Sequence, residues 1–258
     1  MAWFEWPLIL SSVLAGVAIG AFLINGAVIL SGKLCFGQSD RLHRTMPVLW
    51  LMIFLSMFFR ETTLILAAAE TAYQPSLAAI LVFTFFALAL IYWFAEKALW
   101  GSDRLRRSLL VLVMLVGAGI FLLAFQGHGF VMQNDSRLAV GYFLAVVLCG
   151  GTLLAHTMLI RAEHKVEPLN RILPYVGLAI AVVGLLAALP QLTILAEELE
   201  LMGEVMPFVT QLMSVGLLLG ALGVWFMPAL TRSKPVAGVM TFALGLNAVA
   251  AYLVGTGI

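Results

Sequence analysis

Eight stretches of predominantly apolar residues, separated by short polar breaks, constrain the fold of this 258-residue chain more than any other feature. A helix needs about 20 consecutive apolar residues to cross the hydrocarbon core of a bilayer. The predicted spans are 8–30, 46–68, 77–99, 108–125, 139–160, 172–194, 210–230 and 236–254. Composition agrees, because 63% of the residues are hydrophobic, 10% are charged and the mean hydropathy is +1.08. The chain is therefore predicted to be an all-α integral membrane protein, with residues 1–258 forming a single domain of eight transmembrane helices.

Basic residues are concentrated in alternate connections between these spans. Those near the odd-numbered connections are Lys33, Arg41, Arg44, Lys97, Arg104, Arg106, Arg107, Arg161, Lys165, Arg171, Arg232 and Lys234, whereas Arg60 and Arg137 fall on the opposite side. Basic connections stay in the cytoplasm according to the positive-inside rule. Both termini are therefore predicted to lie outside, which is the periplasm if the host is Gram-negative.

Histidines and cysteines are placed unfavourably for a redox centre. A membrane haem of the b type needs two histidines on facing helices at a similar depth. The histidines lie in cytoplasmic connections, near the cytoplasmic end of the fifth span and beyond the outer end of the fourth: His43, His164, His156 and His128. Cys35 and Cys149 belong to no CxxC pair. Neither haem nor an iron–sulfur cluster is expected in this chain. The sequence contains no nucleotide motif, and no nucleic-acid partner is expected.

Two further patterns concern helix packing and the sixth connection. Gly16/Gly20 and Gly216/Gly220 have the small-xxx-small spacing of close helix contacts, for which ordinary packing is favoured over a specific dimer face. The sixth connection, 195–209, is predicted to contain a short amphipathic helix on the outer surface, with Glu197, Glu200 and Glu204 on its polar side. A solvated face and a docking surface for a protein partner remain equally open for this helix.

The segment "SMFFRETTLIL" places Arg60 and Glu61 inside the second span. If this helix begins near Pro47, Arg60 lies about 20 Å along it, short of the outer surface. Residues at i and i+1 do not face each other on a helix, so the pair cannot simply neutralise itself. One of the two is expected to meet a partner on another helix or to line a wet cavity. The alternative is a span that ends at Phe59, which would be too short for the bilayer core.

Polar residues around the second and fourth spans are expected to form one patch near the outer face. Glu70, Tyr73 and Gln74 follow the second span. Gln126, His128, Asp135 and Arg137 gather at the outer end of the fourth. Carboxylate and imidazole groups in such a patch can accept protons.

Four stretches of the chain resemble a known family. They are "EWPLI" near the N-terminus, "GYFLAVVLCGGTLLAHTML" in the fifth span, "RILPYVGLAIAVVGLL" opening the sixth, and "GALGVWFMPALTRSKPVAGVMTFALG" joining the last two. In order and spacing they resemble the membrane anchor subunit of the dimethyl sulfoxide reductase family. The resemblance implies eight spans with both ends outside, no redox centre in this chain, and oxidation of menaquinol. It also implies a heterotrimer in which electrons pass to an iron–sulfur subunit and then to a molybdopterin catalytic subunit.

The residues that the family uses for quinol are not matched position by position. The family has a histidine after the second span and a glutamate entering the third, but "SMFFRETTLIL" has no histidine and "YQPSLAAIL" no glutamate. Phe4 stands where an N-terminal histidine is common. The residues assigned instead are Glu61 and Glu70 as proton acceptors, and Arg60, Tyr73, Gln126 and His128 for quinol binding.

Two other functions remain open. A small secondary transporter without a redox role would also keep charged residues within a span, although the sequence shows no convincing internal repeat and no pair of matched, broken helices. A purely structural anchor whose quinol site has decayed would explain the missing histidine and glutamate. Whether it oxidises quinol or is only a structural anchor, the chain would be a subunit of an oxidoreductase complex whose catalytic centre lies in another subunit.

Overall fold

The computed structural model describes residues 5–67, 76–126, 137–163, 166–203 and 205–256, and these are mostly helical. The helices are α1 (Glu5–Leu30), α2 (Phe36–Thr45), α3 (Pro47–Ala67), α4 (Leu77–Ala95), α5 (Asp103–Phe125), α6 (Arg137–Arg161), α7 (Glu167–Met202), α8 (Val205–Leu230) and α9 (Ala237–Thr256), with a 3-10 turn at Ala98–Gly101. Eight helical stretches are long and apolar enough to cross a membrane, the second being formed by α2 and α3 together. The prediction of an all-α protein with eight spans is confirmed.

Helices α1 and α6 form the centre of the bundle. In their most apolar segments 67% and 83% of the residues are buried, against 28% to 33% in the other six spans. Helix α1 packs against α3 and α5, and α4 joins these two; α6 packs against α7 and α9, and α8 joins those two. The bundle therefore consists of two halves with the same packing order, although the sequence shows no repeat.

Small residues let α1 and α6 run parallel in close contact. Gly16 faces Val147, and one turn further along Gly20 faces Gly151. A Cβ atom on Gly151 would lie 2.8 Å from the backbone nitrogen of Ala21 and the carbonyl carbon of Gly20, so only glycine fits there. The Gly16/Gly20 spacing thus serves packing within the chain, as the sequence favoured.

The first connection contains a helix, α2, that the sequence analysis did not predict. At its start Gln38 Oε1 accepts a hydrogen bond from the Cys35 N–H at 3.2 Å. At its end Met46 separates it from Pro47, which begins α3. Helix α2 packs against α6. Leu42 is buried, although the residues beside it in the sequence are polar. Its sequence is polar and only 10 residues long, so an apolar pattern alone does not reveal it.

Helix α7 corrects the prediction of a span at 172–194 followed by a separate surface helix. It is continuous over 36 residues, which at about 1.5 Å per residue is about 54 Å. That exceeds a bilayer core of about 30 Å, so the helix extends beyond it. The segment after Pro190 is rich in helix-forming Leu, Ala and Glu, and the helix stops only at Gly203, which has a φ of 74°. Glu197 and Glu200 are exposed on this extension of α7, and Glu204 lies outside the described residues.

The two ends of the bundle differ in charge. A Cβ atom on Gly255 would meet Ile9, so both ends of the described chain lie at the same end of the bundle, called here the terminal end. The opposite end carries α2 and is called the basic end. Its described basic residues are Lys33, Arg41, Arg44, Lys97, Arg104, Arg106, Arg107, Arg161, Arg171, Arg232 and Lys234. The sorting of charge predicted from the sequence is therefore a sorting between the two ends of the fold.

The contact between α1 and α6 yields a first prediction. We expect Gly151→Ala to lower the thermal midpoint of the detergent-solubilised protein, because the added methyl group meets backbone atoms that cannot turn away. Gly216→Ala is the matched control, since a Cβ atom there has open space and alanine favours the helix. An unchanged midpoint for Gly151→Ala, measured by tryptophan fluorescence on heating, would contradict the central role of this contact.

Candidate functional site

Arg60 lies at the terminal end of α3 and ties this helix to α4. Its Nη2 donates a hydrogen bond to Ser76 Oγ at 2.7 Å. Ser76 is the N-cap of α4, and its Oγ also accepts from the Ala79 N–H at 3.2 Å. The expectation that Arg60 or Glu61 meets a partner beyond its own helix is confirmed. Helix α3 continues to Ala67, so the helix itself does not end at Phe59.

Apolar and hydroxyl contacts hold the same part of α3 against α1. The rings of Trp6 and Phe59 lie with centroids 6.1 Å apart. One turn below, Ser56 Oγ donates to the Ser11 carbonyl oxygen at 2.7 Å, and both residues are buried. Arg60 is therefore held on a largely apolar surface formed by α1, α3 and the start of α4.

The described part of the predicted site comprises Arg60, Glu61 and Gln126. Arg60 and Glu61 are both half-buried on neighbouring positions of α3. Gln126 is exposed at the end of α5, which is also at the terminal end of the bundle. The other members of the predicted site lie outside the described residues: Glu70, Tyr73 and His128. Their roles stay predictions.

A buried histidine–glutamate pair lies at the basic end. His43 Nδ1 of α2 lies 2.8 Å from Glu96 Oε2, just past α4, and the side chains are 6% and 3% exposed. His43 Nε2 is 2.9 Å from the Trp93 carbonyl oxygen, and Trp93 Nε1 donates to the His43 carbonyl oxygen at 3.1 Å. The His43 and Trp93 rings are stacked. These contacts anchor α2 on the end of α4.

The His43 ring is oriented by its contact with α4. The Trp93 carbonyl oxygen can only accept, so His43 Nε2 carries a hydrogen atom. His43 Nδ1 then approaches the Glu96 carboxylate at 2.8 Å, without the alignment of a hydrogen bond. The imidazole ring is therefore the close polar neighbour of an acidic residue in a nearly dry position.

Sequence reasoning missed the His43–Glu96 pair. The sequence pattern places His43 in a connection and gives no partner for Glu96 near the end of a predicted span. The available signal was Glu96 itself, an acidic residue inside the predicted span 77–99, which requires a partner. Only the position of α2 identifies that partner.

A second histidine, His156 of α6, joins three helices near the basic end. Trp225 Nε1 of α8 donates to His156 Nδ1 at 2.9 Å, which leaves the hydrogen atom of the neutral ring on Nε2. His156 Nε2 is 3.2 Å from Asn170 Oδ1 of α7, so it donates there. His156 is therefore a hydrogen-bonded residue of the packed interior. Both ring nitrogens are occupied by neighbouring side chains.

The described part of the chain contains no cluster of potential metal ligands. Among residues 5–67, 76–126, 137–163, 166–203 and 205–256, no group of three or more His, Cys, Asp or Glu side chains could hold a metal ion. Cys35 is exposed in the first connection and Cys149 is buried in α6, and both are free thiols.

The fold and these polar sites define a multi-pass helical membrane protein with two chemically different ends. The family model of the DMSO reductase anchor subunit (DmsC) matches residues 1–256. The chain therefore belongs to the DMSO reductase anchor subunit family, which implies catalytic and iron–sulfur partner subunits. Neither the curated proteins nor the solved structures include a match to the chain.

The His43–Glu96 pair yields a second prediction. We expect Glu96→Ala to destabilise the protein by about 2 kcal/mol, because it leaves the buried His43 Nδ1 without a partner. Glu96→Gln should cost about 1 kcal/mol or less, because the amide can donate to that nitrogen. Denaturant unfolding in detergent measures both. Equal losses for the two variants would contradict this account, because they would show that an amide of the same size does not replace the carboxylate beside His43.

Proposed function

We propose that this chain is the menaquinol-oxidising anchor of a heterotrimer with an iron–sulfur subunit and a molybdopterin catalytic subunit. The chain would lie in the bacterial inner membrane with its basic end in the cytoplasm and its terminal end at the periplasm. The observation that carries the proposal is the arginine–glutamate pair within α3 at the terminal end, with Arg60 held by Ser76. Membership of the anchor family supports the partners.

The proposed chemistry requires few groups. Oxidation of one quinol to the quinone releases two electrons and two protons, so the site needs an apolar slot, hydrogen-bond partners for the two hydroxyl groups and a proton acceptor. Glu61 is the described carboxylate at this end of α3 and would accept a proton from one hydroxyl group. Arg60 would stabilise the negative charge left on that oxygen atom. The electrons would pass to the iron–sulfur subunit, and the protons would leave at the terminal end.

Several other residues would complete this site. Glu70 and Tyr73 belong to the stretch between α3 and α4, and His128 to the stretch between α5 and α6. Both stretches join helices at the terminal end, where Gln126 ends α5. A second proton acceptor is therefore proposed to be Glu70 or His128. The apolar slot would be formed between the helices of the first half, where Trp6 and Phe59 supply ring surfaces.

A third prediction tests this assignment in membranes that contain the full complex. We expect Glu61→Gln to lower menaquinol-dependent reduction of the acceptor by about 100-fold, the usual contribution of a positioned proton acceptor. Arg60→Gln should lower it by at least about tenfold, because a charge-assisted contact is lost. Reduction driven by a dye that feeds the partner subunits directly should be unchanged in both variants.

The matched control is Arg171→Gln, which removes an exposed arginine at the basic end. Full menaquinol-dependent activity in both Arg60→Gln and Glu61→Gln would remove these residues from the site. If a quinol analogue also failed to bind the wild-type complex, the chain would be a structural anchor without quinol chemistry.

A further inference from the structure

A cavity of about 270 Å³ opens at the basic end, away from the proposed quinol site. It lies between the end of α1, the first turn of α2, the end of α4 and the start of α5. Its polar lining comes from Ser39, Tyr92, Arg106 and Arg107, and its apolar lining includes Leu30 and Phe36. Phe36 is 61% exposed, so the apolar side of the cavity opens towards the surroundings of the bundle. The cavity thus combines cationic and apolar walls.

The hydroxyl group of Tyr92 is an unexplained feature of this cavity. Tyr92 is fully buried and lines the cavity, yet its hydroxyl group has no hydrogen-bond partner among the described residues. Edge contacts with Phe22 and His43 fix the ring, so the group cannot turn elsewhere. Buried hydroxyl groups are almost always paired. A ligand in the cavity would supply the missing acceptor.

The charges around the cavity favour an anion. Arg106 is paired with Asp103 at 3.0 Å, but Asp103 is 68% exposed and its contact is weakened by water. Arg107 forms no ion pair with a described residue. Glu96 is engaged by His43 Nδ1 at 2.8 Å and does not line the cavity. The cavity therefore has a net positive lining.

The cavity lies at the level of the helix ends. Tyr92 lies one turn before the end of α4, and Arg106 and Arg107 lie in the first turns of α5. Below them Leu30 and Leu110 continue the lining towards the apolar part of the bundle. Basic pockets between helices on the cytoplasmic side are typical binding sites for anionic lipid headgroups.

We propose that this cavity binds the phosphate group of an anionic phospholipid of the phosphatidylglycerol or cardiolipin type. Arg106 and Arg107 contact the phosphate oxygens, and the Tyr92 hydroxyl group donates to a phosphate or ester oxygen. Phe36 and Leu30 pack against the first part of the acyl chains. This site is independent of quinol oxidation, because it lies at the opposite end of the bundle and involves none of the proposed quinol residues.

The experiment measures lipid bound to the full complex after extraction and delipidation in mild detergent. Native mass spectrometry follows the titration of phosphatidylglycerol into wild-type complex, R106Q/R107Q, Tyr92→Phe and the control R171Q/R232Q. The control removes the same charge from exposed arginines that do not line the cavity. Parallel titrations use phosphatidylcholine and inorganic phosphate.

We expect R106Q/R107Q to bind phosphatidylglycerol at least about tenfold more weakly than wild type, while the control remains within about twofold. Tyr92→Phe should bind several-fold more weakly without loss of thermal stability, because its hydroxyl group has no protein partner to lose. If R106Q/R107Q fails to fold, the proposal is tested by Tyr92→Phe alone. Phosphatidylcholine should bind more weakly than phosphatidylglycerol.

Three results would overturn the proposal. Equal binding by Tyr92→Phe and wild type would mean that water alone satisfies the hydroxyl group. Equal binding of phosphatidylcholine and phosphatidylglycerol would show that net headgroup charge is not recognised. Displacement of phosphatidylglycerol by inorganic phosphate at comparable concentration would assign the cavity to a free anion instead.

Discussion

The backbone contact between α1 and α6 holds the two halves of this protein together. In lipid, association of helices depends on close packing and on internal hydrogen bonds, because the hydrophobic effect gives no advantage to helix–helix contact over helix–lipid contact. At Gly20 and Gly151 the helices meet with no side chain between them. Helix α1 belongs to a group with α3, α4 and α5, and α6 to a group with α7, α8 and α9. The order of packing is the same in both groups. The positions of all the other sites follow from this arrangement.

Polar side chains complete the packing by pairing across helices. His156 connects α6 with α7 and α8 through Asn170 and Trp225, and Ser214 of α8 connects Tyr142 of α6 with the Ala250 carbonyl oxygen of α9. In the first half, the buried Ser11–Ser56 contact and the His43–Glu96 pair have the same role. Such pairs fix the positions of the helices, because any other helix packing would leave these polar groups unpaired in an apolar environment, which is unfavourable.

The two ends of the bundle are equipped for different chemistry. At the terminal end a half-buried arginine and a neighbouring carboxylate stand among aromatic rings, which suits a neutral, lipophilic donor of protons. At the basic end Arg106 and Arg107 line the cavity, while Asp103 and Glu96 beside it contact Arg106 and His43, and this lining suits a phosphate group. Helix α4 is anchored at both ends, through Ser76 to α3 at the terminal end and through Trp93 and Glu96 to α2 at the basic end.

The sequence by itself determined the fold class, the eight spans, the sorting of charge between alternate connections and the family resemblance, because these depend on local composition and on the order of segments. It also predicted that Arg60 or Glu61 needs a partner, since charge within a span is unfavourable wherever it lies. The tertiary structure decided which partner that is, that α2 brings His43 onto Glu96, and that α7 continues to Met202. Those outcomes depend on contacts between residues distant in sequence. The equivalence of the two halves also belongs to the structure, because packing order requires only similar helix lengths and directions and no similarity of residues.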